Sequence, residues 1–344
     1  MNFLNPSVST CNISVSPYQL VPKSVIGSFG SADSPEKREP RRGALLKFQF
    51  KDGQTGYADC FPWPELGDQP LGVQLERLKE GDLTALTLRS YEFAKLDAEG
   101  RSKQRSLWEH SKIPASHALI ADVQALSTTA LMSLAARGFT HIKIKLGFRN
   151  PGEASFLAGF TDICKLLKLK IRLDFNSVPS PGEVEMVLKD LTPIFPYIDF
   201  IEDPCPYDPS VWIAIQNKWK VRLAMDRMPE KKELVEGSFS VVILKPAIQN
   251  PDSIMLMAHR MDIPVVVTSY LDHPLGQLGA AWVAASLSFR YHSKVEVCGL
   301  LSHFAYEETS FSSLLTHYGP NLLCPSGTGF GFDQALSALE WKPL

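Results

Sequence analysis

Four apolar runs between His141 and Arg227 each end in charge, and their even spacing constrains the fold more than any other feature. HIKIKLG carries Lys143 and Lys145, KIRLDFN carries Asp174, YIDFIEDP carries Glu202, and VRLAMDR carries Asp226. From Lys145 onward the charged ends are 29, 28 and 24 positions apart. That is one strand plus one helix, and a TIM barrel of roughly 250 residues uses about 30 per βα unit. All strands of such a barrel end at one mouth, where catalytic residues gather from several strands. Three acids and two lysines are therefore expected to converge on one cavity.

The alternation extends in both directions. SHALIAD reads as a strand, and STTALMSLAARG as a helix with a Ser/Thr start and a Gly stop. After HIKIKLG, GEASFLAGFTDICKLLKL reads as one helix, and SPGEVEMVLKDLTPIF has a good helical N-terminus. DPSVWIAIQNKWK, PEKKELVEG, PDSIMLMAHRMD and HPLGQLGAAWVAASLSF supply further helices between VRLAMDR, SVVILKPAI, IPVVVTSY and KVEVCGLL. That makes eight strands and seven helices, a (β/α)7β barrel. Its near-continuous apolar strands suit a parallel sheet covered on its outer side.

Residues 1–113 do not alternate in this way. YQLVPKSVIGSF suggests a strand, and GSADSPEKREPRRG reads as a mobile loop, either a solvated face or a lid. ALLKFQF and GYADCF flank the turn KDGQT as a hairpin, and LGVQLERLKEGDL and LTLRSYEFAKLDAEGRSKQRSLW carry helical spacing. The expectation is an α/β protein with three parts. These are an α+β cap over 1–113, the barrel with the site over 114–305, and a segment 306–344 returning to the cap.

Net charge of −2 argues against nucleic acid and anionic membrane surfaces as partners. No apolar run is long enough to span a bilayer. The start has no basic region followed by an apolar stretch, so a cytoplasmic location is expected. Six scattered cysteines without a CxxC pair suggest reduced thiols. GTGFGFD does not open a helix after a strand, so it is not a dinucleotide loop, and His273 and His303 read as structural. Oligomeric state cannot be read from the sequence.

Lys143 and Lys145 alternate onto one face of their strand. Lysines are rarely buried without partners. Nearby carboxylates can simply pair with them. Alternatively, an adjacent cation and a metal lower the Lys145 pKa and make it a neutral base. Asp174, Glu202 and Asp226 are three hard oxygen ligands suited to Mg²⁺. Lys245, ending SVVILKPAI, is either a surface lysine or a cation facing Lys145 across the mouth. Metal and lysines together favour removal of a proton α to a carboxylate, with fixed charge on the resulting enediolate. Thr268 and Ser269, at the end of strand seven, are ordinary turn residues or donors to a substrate carboxylate. The partner is thus a small-molecule carboxylate.

With these motifs in place, the chain resembles the enolase superfamily over nearly its whole length, in the order KIK, RLDFN, IEDP, MD, LKP. Within it, GYADCFPWPELGD, KIKLG and RLDFN are most similar to the o-succinylbenzoate synthase family of menaquinone biosynthesis. The resemblance implies Lys145 as acid and base, Lys245 as the opposing lysine, and Asp174, Glu202 and Asp226 as Mg²⁺ ligands. It implies Lys143, Arg172 and Asn176 as support behind them. The implied reaction is dehydration of a succinyl-bearing hydroxycyclohexadiene carboxylate to o-succinylbenzoate. Two positions depart from the family pattern: Arg227 follows Asp226 where an acid is usual, and strand seven reads TSYLDH; strand eight reads VCGLL without the DxD of dipeptide epimerases, which counts against that rival. An N-acylamino acid racemase, a dipeptide epimerase or a non-catalytic barrel are the alternatives.

Overall fold

A computed structural model gives the structure of residues 11–23, 39–146, 152–226, 228 and 234–344. The chain first builds an antiparallel meander of β1 (Asn12–Leu20), β2 (Arg41–Gln49) and β3 (Thr55–Cys60). Leu20 pairs with Arg41 and Asn12 with Gln49, while Ala44 faces Cys60. The hairpin between β2 and β3 turns at Gly53, whose φ of +83° suits glycine. Alternate β3 residues Gly56, Ala58 and Cys60 are buried, as a sheet with one covered face requires.

Two helices follow, α1 (Leu71–Glu80) and α2 (Ala85–Ser102). Thr84 opens α2 with a reciprocal cap to Thr87, satisfying N–H groups that a helix start leaves unpaired. This helix packs against β3 so closely that a Cβ on Gly56 would lie 1.9 Å from the Ala94 carbonyl oxygen. It ends at Ser102, short of the helical spacing that runs on to Trp108 in the sequence.

The barrel then runs through β4 (Ala118–Ile120), α3 (Thr128–Ala136), β5 (His141–Lys145), α4 (Glu153–Ala158) and α5 (Thr161–Leu167). It continues with β6 (Lys170–Asp174), α6 (Pro181–Asp190), β7 (Ile198–Glu202), α7 (Pro209–Trp219) and β8 (Leu223–Met225). The last units are β9 (Val241–Leu244), α8 (Pro251–Arg260), β10 (Val265–Val267) and α9 (Pro274–Arg290). Strands β4 to β10 form one parallel sheet in sequential order. Residues 295–300 close it: Val295 and Gly299 bridge Val265 and Thr268, and Cys298 bridges Ser116. On that side His117 N donates to the Cys298 carbonyl at 2.7 Å. The barrel is therefore complete, with the α/β class and (β/α)7β plan that the sequence suggests.

Two cores result. Leu, Ile and Val side chains fill the layer between strands and outer helices. Inside the barrel, Phe200, Ala224, Val241, Ile243 and Val266 form a separate plug.

The C-terminal chain passes through β11 (Thr316–Tyr318), β12 (Asn321–Leu323) and α10 (Asp333–Ser337). It ends in β13 (Lys342–Pro343), which pairs with β1 at the edge of the cap sheet. The glycine loop GTGFGFD is part of this return. Asp97, fully buried on α2, accepts from Tyr57 N, Phe330 N and Arg101 Nε. At Gly329, with φ +57°, any Cβ would strike the Asp97 carboxylate. The glycines here serve a chain crossing.

Several local expectations change. The helix read over GEASFLAGFTDICKLLKL breaks into α4 and α5 across Gly159 and Phe160; Gly159 keeps right-handed dihedrals, and the backbone leaves helical geometry at Phe160. Most of the helix expected at PEKKELVEG, most of the GSADSPEKREPRRG loop, and Arg227 lie outside the described residues. The described end of PEKKELVEG, residues 234–237, is not helical. Among the described residues no helix is long and apolar enough to cross a membrane, and all six cysteines are free thiols.

Candidate active site

Strand register assembles the mouth. Lys145 on β5 pairs with Asp174 on β6, and Asp174 pairs with Glu202 on β7. On β8 the partner of Glu202 is Ala224, so Asp226 lies one pleat further along. Lys245 follows β9, one pleat further again, since Met225 pairs with Val242. This climb is the stagger that closing a barrel demands. The βα period thus places five charged residues at neighbouring strand ends.

Within this row the side chains are paired. Lys143, buried, donates to both Glu202 oxygens at 2.6 and 2.7 Å and lies 2.9 Å from Asp174 Oδ2. Lys245 Nζ donates to Asp226 Oδ2 at 2.5 Å and lies 5.9 Å from the centre of the Tyr270 ring. Asp203, beside Glu202, is also buried, and its carboxylate accepts from Asp226 N at 3.1 Å. Its φ of +44° is uncommon for a residue with a side chain.

The charges shift one another. Burial would drive the Lys143 ammonium down, but Asp174 and Glu202 outweigh it and hold Lys143 charged. Lys145 moves the other way. Burial, then Lys143 and Lys245, lower its pKa against the pull of Asp174. Asp174 is drawn to about 2, because Lys143 and Lys145 overcome its burial. Glu202 is pushed up to about 7 by burial and by Asp174. Burial and the neighbouring Asp226 and Glu202 raise Asp203 well above the carboxylate range.

The remaining residues named from sequence divide. Asn176 adopts φ +50° and its N–H donates to Asp174 Oδ1 at 3.1 Å, while its buried Nδ2 has no hydrogen-bond partner. Thr268 is buried next to Gly299, with Oγ1 also lacking a hydrogen-bond partner. Ser269 donates to Ser302 Oγ at 2.6 Å, and Ser302 donates to Gln277 Oε1 on α9. Arg172 is one pleat below Asp174 and bonds away from the acids, to Asp199 at 2.8 Å and the Val297 carbonyl at 2.5 Å.

Two residues of this region were not singled out from sequence. Asp203 is the acid directly after Glu202 in IEDP. His117, just before β4, holds Nδ1 3.2 Å from Arg172 Nη1. A guanidinium has no acceptor, so His117 must be neutral with its proton on Nε2. Burial, Arg172 and Lys143 all lower its pKa, in agreement. The signal available in sequence was only a histidine at an alternating position of the first barrel strand.

A metal can be tested against these donors. Among the described residues no three His, Cys, Asp or Glu side chains are grouped as a ready-made metal site. Lys143 spans Asp174 and Glu202, and Lys245 holds Asp226 apart from them. In chemistry, the donors fit a hard cation: three carboxylates on adjacent strands, with Asp226 Oδ1 buried and without a hydrogen-bond partner.

Comparison with known proteins places this arrangement. A family model for "O-succinylbenzoate synthase, N-terminal domain" matches residues 13–100. An o-succinylbenzoate synthase of Bdellovibrio bacteriovorus is 33% identical over 335 residues, covering 96% of this chain and 98% of that protein.

The chain belongs to the o-succinylbenzoate synthase family.

Solved structures agree on the fold of these enolase-superfamily enzymes. A mandelate racemase/muconate lactonizing enzyme from Roseiflexus sp. superposes with TM-score 0.72 at 17% identity, over 98% of this chain and all of that one. A dipeptide epimerase from Enterococcus faecalis, described as complexed with Mg and the dipeptide L-Leu-L-Tyr, gives 0.70 at 15% identity, over 93% and 98%. The muconate lactonizing enzyme of Pseudomonas putida gives 0.69 at 16%, over 95% and 98%.

Proposed function

We propose that the protein dehydrates 2-succinyl-6-hydroxy-2,4-cyclohexadiene-1-carboxylate to o-succinylbenzoate, as a Mg²⁺-dependent carbon–oxygen lyase of menaquinone biosynthesis acting in the cytoplasm. The observation that carries this reading is the strand register that lines Lys145 up with Asp174 and Glu202, in a chain 33% identical to an o-succinylbenzoate synthase. Asp174, Glu202 and Asp226 would hold the cation. Bound there, Mg²⁺ supplies positive charge for the carboxylate of the substrate. The unpartnered, buried Asp226 Oδ1 supports such an ion, since among the described residues Lys245 reaches the other oxygen, Oδ2.

The neutral Lys145 Nζ takes the proton α to the carboxylate. The freed electron pair moves into the carboxylate, giving an enediolate dianion. Lys245, paired with Asp226, faces this dianion from across the mouth. The pair then returns to the ring as the C–O bond to the hydroxyl breaks. The leaving oxygen takes the proton from Lys145 and departs as water, and the ring becomes aromatic. One water is lost and Lys145 is regenerated. Lys143 keeps Asp174 and Glu202 in register, Asn176 offers an unpaired Nδ2 near Asp174, and Thr268 an unpaired Oγ1 just after β10.

A racemase or dipeptide epimerase needs a lysine base on each face of the substrate. Lys245 Nζ is already engaged by Asp226 Oδ2 at 2.5 Å, which argues against it as that second base. Incubation in D₂O separates the readings. The expected result is o-succinylbenzoate from the cyclohexadiene substrate, with no deuterium entering N-acylamino acids or dipeptides. Deuterium exchange and inversion of an acylamino acid, without any dehydration product, would exclude the synthase.

A further inference from the structure

A second pair of acids, Asp272 buried and Asp59 half-buried, lies where the cap meets the barrel, away from the charged mouth. Asp59, on β3, and Asp272, in the turn before α9, approach each other over Gly276. A Cβ on residue 276 would lie 2.7 Å from Asp59 Oδ2 and 2.6 Å from Asp272 Oδ2. Asp272 is 3% exposed, and its Oδ1 has no hydrogen-bond partner. Both acids line a cavity of about 20 Å³, room for a single water. The rest of the lining is largely apolar, including Phe61, Phe93, Leu275 and Phe330.

The two acids have different surroundings. Each oxygen of Asp59 already accepts: Oδ1 from Tyr18 OH at 2.5 Å, Oδ2 from His273 N–H at 3.1 Å. Such donors favour the ionised form. Asp272 has no comparable side-chain support. Two carboxylates this close in a dry setting cannot both ionise cheaply. No lysine or arginine is among the groups that shift either acid. The ionisable neighbours are Tyr18 on β1, Cys60 on β3 and Tyr306 of the C-terminal segment. His273 accepts from Leu275 N through Nδ1 and packs against the Tyr18 and Phe311 rings, each 4.6 Å away. On α2, Ser90 donates to the Asp59 carbonyl, and Arg89 reaches away to the Pro246 carbonyl and Glu92.

We propose that Asp59 and Asp272 share one proton across the cap–barrel seam, and that this shared proton positions cap residues 61–68 over the mouth. Asp272 carries the proton and donates it toward Asp59 Oδ2. Burial and repulsion agree with this. Burial alone pushes Asp59 up to about 7, while burial and the nearby Asp59 push Asp272 well above the carboxylate range. The link to the mouth is short. Asp59 leads directly into Phe61 and Trp63, and Trp63 Nε1 donates to the Tyr270 carbonyl at 2.8 Å. Tyr270 in turn donates to Asp68 and flanks Lys245. Asp59 and Asp272 are positioning residues that act through this seam.

The sign of the pH effect follows. Both acids have folded pKa values above their unfolded ones, so the proton stabilises the fold at low pH and that stabilisation is lost as pH rises through the folded values. The test is infrared spectroscopy of the full-length protein at neutral pH, with thermal midpoints followed upward from about pH 6. The wild type should show carbonyl absorption from protonated carboxylic acids, and the difference spectrum between wild type and Asp272→Asn should contain one such band, the Asp203 contribution being common to both. The wild-type midpoint should fall with pH, while Asp272→Asn, whose amide donates at every pH, should fall less. Identical carbonyl bands in wild type and Asp272→Asn, or equal pH slopes in the two proteins, would overturn the shared proton. Saturable stabilisation by Na⁺ or K⁺ at constant ionic strength would also overturn it, because a bound cation would then hold the pair. A third arm rests on the proposed dehydration: KM for the cyclohexadiene substrate should rise with pH in the wild type and stay level in Asp272→Asn. A level wild-type KM refutes the positioning role. Complete absence of dehydration refutes the proposed function alone, leaving the infrared and stability results to decide the proton. If Asp272→Asn fails to fold, the same comparison with the Asp59→Asn variant decides the same point.

Discussion

Replacing Lys143 by methionine separates the structural work of the buried ammonium from the chemistry of the mouth. Lys143 bridges two buried acids at 2.6–2.9 Å. Methionine keeps much of the length and volume but no charge. Removing one partner of a buried ion pair costs about 3–5 kcal/mol, because the other charge remains buried and uncompensated. Here two acids lose their partner, so a loss at the upper end of that range is expected. A divalent cation should then compensate. A ligand that binds only the folded state stabilises it by about 2.7 kcal/mol at a hundred times its dissociation constant. The assay is urea unfolding of wild type and Lys143→Met, each after EDTA treatment and with Mg²⁺ restored. The variant should lose most in EDTA and regain a large part with Mg²⁺. A loss below about 1 kcal/mol, within reach of an ordinary surface ion pair, would refute the buried bridge. Equal midpoints with and without Mg²⁺ in both proteins would refute the metal site.

Other expectations follow from the same geometry. Lys145→Ala should lower kcat by about 10²–10⁴, the usual contribution of a general acid–base group, and near-normal turnover would remove Lys145 from the reaction. Because the Lys145 pKa is lowered, the wild-type rate should rise with pH and level off below the ordinary lysine range, as kcat/KM profiles would show; a rise only in that ordinary range would contradict the burial argument. Gly299→Ala should cost about 1–3 kcal/mol by denaturant titration, since its Cβ would lie 2.8 Å from the His117 ring and 2.9 Å from Thr268 Cγ2; unchanged stability would mean the ring yields freely. Arg172→Met should destabilise by about 1–3 kcal/mol, because the Val297 carbonyl loses its donor while Arg222 still pairs with Asp199, with little change in kcat of the folded enzyme, and a large kcat loss at normal stability would return Arg172 to the reaction.

The barrel was legible because its period is a matter of length: a strand and a helix bring the chain from one mouth position to the next. The row of Lys145, Asp174 and Glu202 follows from that period and two-residue alternation. The same alternation sets Arg172 behind the mouth. It points to the interior like Asp174, but one pleat lower, and its partners Asp199 and His117 come from other strands. Ser269 was grouped with Thr268 because they are adjacent, yet it bonds to Ser302 instead. The break at Gly159 was harder to see, because the apolar spacing of GEASFLAGFTDICKLLKL continues through it. Asp59 and Asp272 could not be matched from sequence at all. They meet only because the cap folds down onto the turn before α9, and no local pattern records that contact.

The most direct measurement is turnover of the cyclohexadiene carboxylate by wild type and Lys145→Ala, each stripped with EDTA and then titrated with Mg²⁺. Product that forms only when both Mg²⁺ and Lys145 are present is the predicted result. Dehydration at an undiminished rate without either one would contradict the account.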